Sequence, residues 1–152
     1  MIVYLVLAQL LVTAPNDSIS LEIEFDTTPP RMTKRFLLFG QQQLCVRVTL
    51  RNSSEKPITV EALVSCSTLR FVIDDIDGHP IDITRLTHVN PMVTPDYFRT
   101  IQARSSYSEV INVFSCIEFN PKSGHLYRIK AFYQELEKET DELVSNELFF
   151  KP

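Results

Sequence analysis

The chain has 152 residues, 44% of them hydrophobic, with ten Phe and five Tyr, which is enough apolar surface for one domain with a core of its own. Its net charge of −4 argues against nucleic acid and anionic membrane surfaces as partners, because both select basic patches. Three Gly against nine Pro leave little material for phosphate-cradling loops and point to stiff, extended connections.

Residues 1–15 carry no charge, and Ile2 to Val12 are almost continuously apolar. The run is shorter than the roughly 20 residues that span a bilayer. It fits the apolar region of a secretory signal peptide ending in Val12-Thr13-Ala14, so residues 1–15 are expected to be removed and the mature chain to be secreted or periplasmic. No Lys or Arg precedes the run and Pro15 would follow the cut, so a buried first strand is the alternative. No Cys follows the run, and a lipid or other membrane anchor is not expected.

Leu21, Ile23 and Phe25 then alternate with Glu22, Glu24 and Asp26, the pattern of a strand with one acidic face, and Pro29-Pro30 ends it. Leu44, Val46, Val48 and Leu50 form the core face of the next strand. Asn52 to Pro57 is a turn by composition, from which Ile58 to Ala62 is expected to return as the partner strand. Leu69 to Asp74 and Ile81 to Ile83 flank Asp77-Gly78 and read as a hairpin. His88 to Phe98, with Pro91 and Pro95, reads as a long loop. Tyr107 to Phe114 is a strand. After the turn at Ser123-Gly124, Tyr127, Ile129, Ala131 and Tyr133 alternate with Arg128 and Lys130 as a half-buried antiparallel strand. Glu135 to Glu142 is a charged connection, and Leu143 to Phe150 reads as the closing strand. Seven to eight short strands with turns about every 10 residues predict an all-β fold, an immunoglobulin-like antiparallel β-sandwich formed by residues 16–152 as one domain. The chain has no Trp, so the core Trp of antibody domains is absent.

Several stretches carry a resemblance. Val46 to Asn52 reads V-x-V-x-L-x-N, Leu69 to Gly78 reads L-x-F-x-I-x-D-x-x-G, Ser123 to Tyr133 reads S-G-x-x-Y-x-I-x-A-x-Y, and Ser145 to Phe150 reads S-N-x-L-x-F. This order resembles small bacterial immunoglobulin-like domains, and is similar to the bacillus intracellular proteinase inhibitor family and to the N-terminal domain of peptidyl-Lys metalloendopeptidases. The resemblance spans roughly residues 40 to 150 and consists of core and turn residues, so what it implies is a fold rather than a function. The His-Glu-x-x-His zinc motif is absent.

Among residues that could carry chemistry, Cys66 and Cys116 are the expected disulfide in an oxidising compartment, leaving Cys45 as a free thiol. Closing a loop of about 50 residues would stabilise the fold by roughly 4 kcal/mol on the chain-entropy view. The alternative is three reduced cysteines packed as small hydrophobes. Asp74-Asp75-Ile76-Asp77-Gly78 lacks the ligand spacing of a calcium loop and reads as a solvated turn. His79, His88 and His125 show no ligand spacing, so no metal is expected, and no cofactor. Glu109 and Glu118 read as exposed strand carboxylates rather than an acid/base pair, so no catalytic residue is expected. Pro30 to Phe39 mixes basic and apolar residues and reads as a strand with its apolar side buried. Asn16-Asp17-Ser18 and Asn52-Ser53-Ser54 match the glycosylation acceptor pattern. The loop from Thr87 to Arg99 is the longest irregular segment, and Met92, Tyr97, Phe98 and Arg99 are the expected binding residues, since loops on rigid sandwiches commonly carry binding.

The expectation is an exported, non-catalytic domain that binds another protein; the alternative is a proteinase inhibitor that presents a loop to a protease cleft. Expression in a host with an export pathway should yield a product lacking about 14 to 20 residues, the span of a short signal peptide. Intact mass with thiol labelling should find one reactive thiol before reduction and all three cysteines after it. An uncut chain with three free thiols would place residues 1–15 in the fold instead.

Overall fold

The structure is a computed structural model that describes residues 3–4, 18–26, 44–64, 67–77, 81, 84–85, 97–115, 117–119, 122, 124–135 and 141–151. Its strands are β1 (Val3–Tyr4), β2 (Ile19–Phe25), β3 (Cys45–Asn52), β4 (Ile58–Glu61), β5 (Leu69–Asp75), β6 (Thr84–Arg85), β7 (Phe98–Ile101), β8 (Ser106–Asn112), β9 (Ile117–Glu118), β10 (Tyr127–Tyr133), β11 (Leu143–Val144) and β12 (Leu148–Lys151). Val113–Ser115 forms a 3-10 turn, and no α-helix occurs among the described residues. Every pairing is antiparallel, and the fold is an all-β sandwich.

One sheet has the order β2-β3-β8. In the other, β10 is central, with β5 on one edge, β11 and β12 on the other, and β1 outside β12. Two short ladders, β4 with β7 and β6 with β9, complete the pairing among the described residues. The alternation read from the sequence sets the core. Leu44, Val46, Val48 and Leu50 are fully buried, and they share one cluster with Leu69, Phe71 and Ile73 of β5 and with Tyr127, Ile129, Ala131 and Tyr133 of β10. Each such side chain is worth about 1.5 to 3 kcal/mol when removed from water, so these strands supply most of the drive for closing the sandwich.

Three expected pairings are corrected. The segment from Ile58 to Ala62 does not return along β3; β4 pairs with β7, Val60 opposite Arg99. Both edges of β3 are already taken along seven residues by β2 and β8. Asn52 drives the chain out of the sheet at that point. Its side chain is completely buried, and its Nδ2 donates to the carbonyls of Lys56 (2.8 Å), Ile101 (3.1 Å) and Gln102 (3.0 Å). Its Oδ1 accepts from the Ser54 amide and hydroxyl at 2.9 and 2.8 Å. An amide so used is inaccessible to a glycosylating enzyme, which removes Asn52 as an acceptor in the folded chain; Asn16 lies outside the described residues.

The second correction concerns β5. It takes β10 as its partner along all seven residues, and Ile81 belongs to no strand; residues 78–80 and 82–83 lie outside the described residues. The Asp75 carboxylate accepts the Asp77 amide at 2.8 Å, so the acidic stretch closes as a side-chain-capped turn. The third concerns Leu143 to Phe150, which is two strands. Phe132 faces Val144 while Ile129 faces Leu148, so two residues of β10 oppose three from Ser145 to Glu147. This is a β-bulge. Ser145 repairs the ladder there: its amide donates to the Ala131 carbonyl, and its Oγ accepts the Ala131 amide, both at 2.9 Å. The bulge aims Asn146 across the sandwich, where Oδ1 accepts the Ile23 amide (2.7 Å) and Nδ2 donates to the Ile23 carbonyl (2.9 Å). One side chain thereby ties the two sheets and covers part of the β2 edge, the kind of protection that edge strands need.

Val3–Tyr4, inside the expected signal peptide, pairs with β12, Tyr4 opposite Phe150. The rest of residues 1–17, together with Pro30 to Phe39, lies outside the described residues. No helix among the described residues is long and apolar enough to cross a membrane. Asn146→Ala should leave two backbone groups of Ile23 without their partners. The expected cost is about 2 to 4 kcal/mol, read as a lower urea midpoint with an unchanged slope, while Asn146→Asp should recover only the bond from the Ile23 amide.

Candidate functional site

The two outer faces of the sandwich differ in chemistry. On the β2-β3-β8 sheet, Glu24 lies opposite Arg47 and pairs with it at 3.3 Å; Arg51 reaches Glu22 at 3.3 Å, and Thr49 meets Ser108 at 2.8 Å. The acidic face expected of the first strand is thus neutralised by basic residues of β3. This is the polar outer surface normal for an antiparallel sheet with one wet side.

The outer face of the β10 sheet is different. The register that sends Phe71 and Ile73 inward turns Val72 out, and it places Phe132 between Arg70 and Val144 and Arg128 between Asp74 and Phe149. Val72, Phe132, Val144 and Phe149 lie outside the core cluster. Val144 is 52% exposed, and Ile76, just beyond β5 with the same parity, is 44% exposed. The charges among them are held. The Arg70 guanidinium sits 4.4 Å from the centre of the Phe132 ring and bonds Glu142 at 2.9 Å. Arg128 bridges Asp74 (2.9 Å) and Glu147 (3.5 Å), and Lys130 bonds Glu147 at 2.6 Å. Apolar and charged side chains therefore alternate across this face, with Phe132 beside Val144 at one end and Phe149 beside Arg128 at the other.

The residues expected to bind fall elsewhere. Met92 lies outside the described residues. Tyr97 is buried, its carbonyl accepting the Ala62 amide at 2.7 Å and its hydroxyl lying 3.4 Å from Ser67 Oγ. Phe98 and Arg99 belong to β7 rather than to the expected loop, because they pair with Glu61 and Val60. Phe98 is half-buried with its ring edge-on to Tyr97, and Arg99 is exposed, its guanidinium 6.0 Å from the Tyr107 ring.

Beneath Tyr97 lies a buried polar cluster that the sequence reading missed. Glu61 and Glu135 are both buried, the Glu61 amide donates to Glu135 Oε1 at 3.1 Å, and the Tyr133 hydroxyl donates to the Glu61 carbonyl at 2.8 Å. Burial, and after it the charges of Glu135 and Glu61, push the Tyr133 phenol far above its ordinary range. Inward-facing Tyr133 at the end of an otherwise apolar face was the available signal, since a buried phenol needs a partner.

The cysteines and other candidates are placed as follows. Cys45 is a free thiol, as expected, but it is buried although it lies on the Arg47 side of β3. Its carbonyl accepts the Asp26 amide at 3.0 Å, and burial first, then the Asp26 charge, raise the thiol. Cys66 and Cys116 lie outside the described residues. Glu109 is exposed and accepts the Tyr107 hydroxyl at 3.0 Å. Asp75, Asp77 and His125 come together at the end of β5, which the scattered histidines of the sequence did not suggest. No protein-family model matches this chain, and no curated protein matches it.

Because the phenol of Tyr133 is raised in the fold, its contribution to stability is present below the ordinary tyrosine pKa of about 10 and is lost as pH rises above it. Unfolding midpoints should therefore fall above pH of about 10, and Tyr133→Phe should flatten that fall while costing about 1 kcal/mol at neutral pH. An equal pH dependence in the variant would show that Tyr133 contributes nothing to it.

Proposed function

We propose that this chain is an exported, non-catalytic, immunoglobulin-like domain that docks another protein on the outer face of its β10 sheet. The observation that carries this reading is the presence of Val72, Phe132, Val144 and Phe149, interleaved with Arg70, Arg128 and Lys130, on a sheet face where polar residues are the rule. Aromatic and aliphatic side chains set among arginines match the composition of interface centres, where aromatic residues and Arg are enriched. The ion pairs around it hold Arg70, Arg128 and Lys130 in place before a partner arrives, which lowers the ordering cost of association. The outer face of β2 and β3, formed by Ser20, Glu22, Glu24, Arg47, Thr49 and Arg51, carries no aromatic side chain, which favours one docking side over the other. The arrangement of β2-β3-β8 against β5-β10-β12 supports the immunoglobulin-like reading. The inhibitor alternative would rest on residues 87–96, which lie outside the described residues, and it draws no support from this face.

A photo-crosslinking residue placed at position 144, and in a control at position 108 on the opposite face, tests the reading in the producing cells. The expected result is one defined protein adduct from position 144 and none from position 108. Val144→Glu should weaken the isolated complex at least tenfold, about 1.4 kcal/mol, with stability changed by no more than about 0.5 kcal/mol. Equal adducts from both positions, or none from 144, would overturn the assignment.

A further inference from the structure

We propose that Asp75, Asp77 and His125 form a binding site for a divalent transition ion of the zinc class. The strand register builds this site. Asp75 is the last residue of β5 and faces Tyr127, the first of β10; the ladder continues one step as the Ile76 amide donates to the Leu126 carbonyl at 3.3 Å. His125, two residues before Tyr127, has the same parity and stacks its ring on Tyr127 with centroids 6.2 Å apart and planes 23° apart. The imidazole is thus carried to the Asp75 side chain, which is only 4% exposed, with Nδ1 and Oδ2 3.1 Å apart. The other Asp75 oxygen accepts the Asp77 amide, and this folds the turn back so that its own carboxylate approaches. One donor atom from each of the three residues then lies within 4.8 Å of the other two.

These distances suit a metal. Bonds of about 2.0 to 2.2 Å place neighbouring donors on one ion roughly 3.0 to 3.5 Å apart, the separation that Asp75 and His125 already have. Asp77 is exposed on the turn, so its side chain can close the remaining gap of about 1 Å by changing rotamer. The imidazole decides the chemical class. Two carboxylates on a turn alone would be a solvated hairpin end, whereas one nitrogen with two oxygens and room for water selects borderline ions. Calcium prefers six to eight oxygens, and three protein donors including a nitrogen fall short of that. Arg128, three residues beyond His125, turns to the opposite face of the sheet, toward Asp74 and Glu147. An ion held here would clasp the turn after β5 to the segment entering β10. The site is independent of the docking face.

The full-length chain titrated with zinc chloride by calorimetry tests the assignment, with cobalt(II) absorption as a second readout. The expected result is one ion per chain, binding weakened at least tenfold in His125→Gln and in Asp77→Asn, and a melting temperature raised by zinc in the wild type but not in Asp77→Asn. Asp77 is exposed, so its variant keeps the fold even where a change at buried Asp75 would not. Cobalt should give oxygen- and nitrogen-type bands without a thiolate charge-transfer band. No saturable zinc binding, unchanged affinity in both variants, a thiolate band, or tighter binding of calcium than of zinc would each overturn it.

Discussion

β10 is the strand on which the rest of the structure depends. It is hydrogen-bonded along both edges, to β5 on one side and to β11 and β12 on the other, and its inner face is buried over its whole length. A strand constrained on three sides has one register, because a slip of a single residue would send Arg128 and Lys130 into the core. Its two terminal tyrosines then organise the two ends of the sandwich. The Tyr127 hydroxyl accepts the Lys122 amide at 2.9 Å while its ring supports His125 beside Asp75. At the other end Tyr133 holds the carbonyl of Glu61 above the buried polar cluster. Phe119 meets Tyr127 edge-on and Phe150 stacks on it, so the end that carries Asp75 is also the aromatic end of the core.

Polar groups inside this fold act as fasteners. Asn52, Ser145 and Asn146 each occupy places where the chain leaves a regular ladder, and each uses its side chain in place of a missing backbone partner. A buried backbone group without a partner costs about 1 to 3 kcal/mol, so a side chain that supplies the partner stabilises the corner or bulge at which it stands. The edges are managed in a related way. Asn146 occupies β2 at Ile23, and β8 carries Glu109 opposite Val48, a charge on the core-facing side of an edge strand that opposes addition of a further strand. Against that background the outer face of the β10 sheet stands out for the apolar side chains it sets among its ion pairs, with Val144 exposed.

Much of the fold was legible from alternation. The inner faces of β3 and β10 follow directly from period-2 patterning, because which side a residue takes is set by its own strand. Partner choice is a different matter. Ile58 to Glu61 reads as a strand from its own residues, yet its pairing with β7 depends on β3 having no free edge and on Asn52 turning the chain away. The expected hairpin after β5 rested on a local turn signal; the partner found for β5 is β10, more than fifty positions downstream, while residues 78–80 and 82–83 lie outside the described residues.

The candidate sites divide along the same line. Composition and alternation by themselves established an all-β chain, the faces of its main strands and a thiol at Cys45 outside the core stripe, since each of these is a property of neighbouring residues. Only the tertiary structure decided that Tyr97 is interior, that Phe132 and Val144 share a row, and that Asp75 and Asp77 meet His125. Those outcomes depend on which strands pair and in what register, and register is fixed by the packing of the whole sandwich rather than by any one segment.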